Sequence, residues 1–113
     1  MIAGISLRRY DYADWYHERI EHQIEDFSQE LEDDEDIVAR VILNDGQQIL
    51  ATWFGFHNPN MLVIDGRDNA GNEVRVLAPH TNVQIIIRKV NRADQTERRR
   101  IGFQTRRNES EEP

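Results

Sequence analysis

In the stretch Val41-Ile-Leu-Asn-Asp-Gly-Gln-Gln-Ile-Leu-Ala-Thr-Trp-Phe-Gly-Phe-His-Asn-Pro-Asn-Met-Leu-Val-Ile64, apolar, β-branched and aromatic runs are separated by two short clusters of turn residues. The first cluster, Asn44-Asp45-Gly46, contains Asp-Gly, a preferred pair for a tight hairpin because both residues tolerate positive φ. The second, Asn58-Pro59-Asn60, joins three turn formers, and Gly55 offers a bend point inside the long run between them. Working outward, strands are expected at Ile37–Leu43, Gln47–His57 and Met61–Asp65, with a second hairpin at Asn69-Ala-Gly-Asn72. Glu73–Leu77 alternates polar and apolar as a half-buried strand should, Pro79–Asn82 makes a turn, and Val83–Val90 is the fifth strand. Short strands at such close spacing predict a small barrel or sandwich and not alternating helix and strand. No repeat with a period of about 20–50 residues is present, which excludes solenoids.

Upstream the periodicity changes. Tyr12, Tyr16, Ile20, Ile24, Phe27 and Leu31 recur at helical spacing and predict an amphipathic helix over about 11–32. Asp11 is the expected N-cap, Asp14 supplies first-turn acid, and Tyr10 with Trp15 forms a hydrophobic staple. Glu32-Asp-Asp-Glu-Asp36 sets five carboxylates at the negative end of the helix dipole, so the helix should stop there and the run should be a solvated linker.

The chain has 113 residues, enough for one core, with a formal charge of -7. That average hides an asymmetry. Residues 1–36 hold 3 basic and 12 acidic side chains, residues 37–90 hold 5 and 4, and residues 91–113 hold 6 and 5. The expected organisation is an acidic helical segment (1–36), a β domain (37–90) and an Arg-rich flexible tail with an acidic tip (91–113). Absence of cysteine excludes disulfides, thiolate metal sites and cysteine nucleophiles. The opening Met1–Leu7 followed by Arg8-Arg9 reverses the order of a signal peptide, and no apolar run approaches the ~20 residues of a membrane span, so a cytoplasmic location is expected.

The stretch 41–64 resembles the first sequence motif of the Sm, LSm and Hfq proteins, in which a valine/leucine strand enters a Lys-Asp-Gly turn, a long bent strand ends in Phe-Asp, and an Asn-Leu-Val-Leu strand follows. Val41, Leu43, Asp45, Gly46, Phe56 and Asn60-Met61-Leu62-Val63 fall on those positions. The resemblance covers roughly residues 37–90. It implies an Sm-like (SH3-like) five-stranded, strongly bent antiparallel barrel, mostly β with an N-terminal α-helix. It also implies a homo-oligomeric ring of about five to eight copies, closed by pairing the fourth strand of one subunit with the fifth of the next. The edges expected to pair are Val74–Leu77 and Val83–Val90. The family's activity is binding of single-stranded RNA without catalysis, in RNA processing or chaperone-type roles.

Carried over by position, Asn60 matches the family's base-reading Asn, His57 or Asn58 takes the stacking position, and His80 stands near the family's second-motif pair. The second motif here reads Leu77-Ala-Pro-His-Thr-Asn-Val83, with neither Arg-Gly nor Lys-His. Phosphate contacts would come from Arg67 and Arg75 on the barrel, from Arg88-Lys89, and from Arg98, Arg99 and Arg100 with Arg106-Arg107 in the tail. The structural alternative is that His57, Asn60 and His80 satisfy backbone groups in turns and that the tail arginines are solvated. A second function class is thus a structural ring that uses the barrel for assembly alone, in keeping with the -7 charge.

Catalytic and metal motifs are missing. His17 and His22 are five apart, so on a helix the rings diverge by about 140° and cannot share a metal. Ser6, Ser28, Thr52 and Thr81 lack a recognisable base and elbow, and no Gly-rich loop matches a phosphate cradle. No enzyme, metal or cofactor is expected.

Overall fold

A computed structural model of the chain describes residues 11–92 and 100–105. The elements are α1 (Ala13–Ser28), β1 (Glu35–Ile42), β2 (Gln48–His57), β3 (Met61–Arg67), β4 (Glu73–Pro79), a 3-10 turn (His80–Asn82), β5 (Gln84–Asn91) and β6 (Gly102–Phe103). The five strands read from the sequence are present, each within a few residues. The expected hairpin at Asn44-Asp-Gly46 has a three-residue loop: Leu43 N–H donates to Gln47 O at 2.9 Å, and Gly46 N–H donates to Leu43 O at 2.9 Å. Only the last loop residue needs the left-handed region, and Gly46 adopts it with φ 88°. The β3–β4 hairpin closes in the same way between Asp68 and Asn72.

The sheet order is β4-β3-β2-β1-β5, antiparallel throughout, with β6 parallel to β2. β4 and β5 therefore stand at the two ends, and the expected barrel is not closed by hydrogen bonds: the described residues form a six-stranded open sheet. β5 pairs with β1 over its whole length, from Glu35↔Asn91 to Ile42↔Gln84. β2 shifts register between Ala51 and Trp53, and this bulge lets its first half follow β1 and its second half diverge. The core is built from Ile37, Ala39 and Val41 of β1, Ile49, Phe54 and Phe56 of β2, and Leu62 and Ile64 of β3, covered by Ala13 and Ile24 of α1.

Five expectations change. α1 ends at Ser28 and not near 32, where the following turn has Gln29 N–H bonded to Glu25 O and Asp26 O. The N-cap residue is Tyr12 and not Asp11, with no cap bond from its own side chain. The buried stripe runs through Ala13, His17, Ile20, Ile24 and Phe27, because His17 is 2% exposed while Tyr16 is 36% exposed. The acidic linker stops short of Asp36, which is buried in β1 with its Oδ1 accepting the Ile37 N–H at 3.0 Å. The region read as a flexible tail also changes: Asn91 completes β5, and residues 101–104 are half-buried. Tyr10 of the expected staple, Arg98, Arg99, Arg106, Arg107 and the acidic tip lie outside the described residues.

Candidate nucleic-acid interface

The two loops singled out in the sequence meet although about 20 residues separate them. The β2–β3 loop (58–60) and the 3-10 turn are joined where Asn60 O accepts the His80 N–H at 2.8 Å and lies 3.2 Å from His80 Nδ1. The β3–β4 register, Met61↔Pro79 and Leu62↔Ala78, brings them there. The side chains of His57 and Asn60 are on exposed residues at this end of the sheet. Asn58 has a different task. Its Oδ1 accepts the Asp14 N–H at 3.0 Å and Pro59 O accepts the Ala13 N–H at 2.7 Å, so this loop caps α1 from 44 positions away. The Asn58-Pro59 peptide is cis.

The ring contacted by His80 comes from the helix. Tyr16 lies 4.4 Å from it, centroid to centroid, at 33°. Tyr16 in turn meets Trp15 edge-on at 5.2 Å, and the Arg19 guanidinium sits 5.5 Å from the Trp15 ring. Beside this aromatic row is a groove of about 400 Å³ floored by Ile20, Leu62, Val83 and Ile85 and walled by Tyr16 and His80. Helical spacing places Tyr16 on the apolar stripe. Its distance of four from both Tyr12 and Ile20 hid its exposure, and nothing in the sequence relates it to His80.

The arginines are placed elsewhere. Arg75 on β4 donates through Nε to Asp65 Oδ1 at 2.6 Å and through Nη2 to Asp65 Oδ2 at 2.9 Å, a two-pronged pair across the β3–β4 ladder. These bonds hold the Asp65 carboxyl below the usual carboxylate range, against a smaller opposing effect of burial. The same partner raises the Arg75 guanidinium. Arg67 donates to Gly71 O at 3.1 Å and lies 3.4 Å from Glu73. Any phosphate at this face would compete with two carboxylates. Arg88 is exposed on β5, Lys89 pairs with Glu30 at 3.3 Å and lies over Phe27, and Arg100 is exposed beside a groove that Glu21 and Glu25 also line.

His17 and His22 diverge as their spacing requires: His17 is buried with Nε2 3.1 Å from Phe54 O, whereas His22 is exposed. Among the described residues no group of three His, Asp or Glu could hold a metal ion, and no described helix is long and apolar enough to cross a membrane. No family model matches the chain, and no curated protein or solved structure shows significant similarity to it.

Proposed function

We propose that this chain is an Sm-like subunit that assembles into a homo-oligomeric ring of about five to eight copies and binds single-stranded RNA without catalysis. His57, Asn60, His80 and Tyr16 form the contact surface. The observation that carries this reading is the union of the two loops by the Asn60–His80 bonds next to the exposed Tyr16 ring. Single-strand binders need aromatic faces for stacking together with donors and acceptors for base edges, and this cluster holds both. Ring assembly is supported by the strand order, which leaves β4 and β5 at opposite ends of the sheet. Pairing one with the other on the next copy would satisfy both edges and place several weak sites on one particle. Leu77, 59% exposed on β4, would be covered in such a contact.

A second reading, assembly without nucleic acid, is favoured by the carboxylate partners of Arg67 and Arg75 and by the acidic helix. Native mass spectrometry of the full chain with a short oligouridylate, at low and moderate ammonium acetate, separates the two. A closed multimer carrying RNA that is lost in a Tyr16→Ala/His80→Ala double variant is the expected result. A multimer indifferent to RNA leaves the assembly reading, and a monomer overturns the ring.

A further inference from the structure

The side of β2 opposite β3 has two successive partners. Gln48–Leu50 pair with β1, and from Trp53 onward that side is taken by β6. Without β6 the Phe56 N–H on this side would lose the Gln104 oxygen, and Phe54 O would keep only the His17 ring nitrogen 3.1 Å away. The segment fills this side with three consecutive residues, each in a separate role. Gly102 lies under the Trp53 indole, where a Cβ would come within 2.8 Å of Trp53 Cδ1. Phe103 stacks on Phe54 at 5.6 Å and 17° and meets His17 edge-on at 5.6 Å, so its ring completes the core between α1 and β2. Gln104 donates its N–H to Phe54 O at 2.8 Å, and its Oε1 accepts the Phe56 N–H at 3.0 Å, doing with a side chain what a longer strand would do with its backbone. Gly55 keeps the slot open, because a Cβ there would run into the Trp53 ring and Gln104 Oε1.

We propose that the Trp53–Phe56 edge of β2 is a docking site for an extended glycine–aromatic–glutamine segment, and that its occupant is exchanged between copies of this chain, Gly102–Gln104 of one docking on β2 of another. The segment seated there defines the chemistry of the ligand: no side chain at the first position, a flat ring at the second and an amide at the third. Every copy carries both the site and the segment, so exchange recreates each contact and costs no interaction energy. The docked piece is also small, with two ladder positions and one inserted ring, which places it at the weakly held end of the structure. This inference is independent of RNA binding.

The chain has no cysteine, so disulfide trapping reads the exchange directly. Thr52 and Ile101 directly precede the paired Trp53 and Gly102, and the two line one groove. Full-length Thr52→Cys and Ile101→Cys proteins are mixed, oxidised and resolved by non-reducing electrophoresis and intact mass. A mixed dimer severalfold above either homodimer is expected, reduced severalfold when the Ile101→Cys chain also carries Phe103→Ala or the milder Gln104→Ala. The proposal is overturned if the mixed dimer stays at the homodimer level while the Thr52→Cys/Ile101→Cys double variant closes within one chain. Failure of the double variant to close, or a yield indifferent to Phe103→Ala and Gln104→Ala, overturns it equally.

Discussion

The loop cluster at the end of β2 and β4 and the outer face of β3 and β4 both present polar side chains and use them in opposite ways. At the loop cluster the main chain does most of the joining, through Asn60 O, Pro59 O and the N–H groups of His80 and Ala13, with Asn58 Oδ1 on the Asp14 N–H, so the rings of His80 and Tyr16 remain beside a groove. On the outer face the side chains join one another, Arg75 to Asp65 and Arg67 to Glu73. A charged residue is available to a ligand only to the extent that its own neighbours leave it so, and counting arginines in a sequence overlooks this.

The comparison is most severely tested in the packing beneath the two regions. Leu62, 1% exposed under the loop cluster, should cost about 2–5 kcal/mol on conversion to alanine. Leu77→Ala on the outer face should leave the urea midpoint of the monomer nearly unchanged, and equal losses would erase the distinction. Next in size is ligand binding. By fluorescence anisotropy with labelled oligouridylate, Tyr16→Ala should weaken binding by about 1–3 kcal/mol, the range for one stacked base, while Arg75→Ala should shift it little; the reverse order would move the interface to the β3–β4 face. Asn58→Ala removes the acceptor for the Asp14 N–H and should lower stability by about 1 kcal/mol without altering RNA affinity. The smallest effect belongs to pH. Because the folded Asp65 carboxyl titrates below its unfolded value, its contribution is present above about pH 4 and is lost as pH falls through the folded value. Urea midpoints followed from pH 5 to lower pH should show a component that Asp65→Asn lacks.

Much of the architecture was legible because its signals are local. Asp45-Gly46 fixed a hairpin, the β-rich runs fixed the strands, and the spacing of Ile20, Ile24 and Phe27 fixed a helix. Misreadings came where a buried polar residue found a partner that hydrophobic spacing does not show, distant for His17 and adjacent for Asp36. His17 belongs to the buried stripe because the Phe54 carbonyl oxygen lies 3.1 Å from its Nε2, and Asp36 is tolerated inside β1 with a backbone N–H on its carboxylate. β6 does have a local signal, since Ile101-Gly-Phe103 is an apolar island in an Arg-rich stretch. Of the candidate site, the Asn60 and His80 loops could be found by position, but Tyr16 could not, since its relation to them exists only once α1 lies against the sheet.

The cap that Asn58 lends to α1 also bears on the order of events during synthesis. The helix leaves the ribosome before the strands it lies on, yet the oxygen that accepts its Asp14 N–H arrives 44 residues later. A nascent α1 of 16 residues is near the length at which isolated helices are marginal in water. It becomes durable only after the β2–β3 hairpin has emerged, so the earliest-made of the described elements is secured later than the hairpin that follows it.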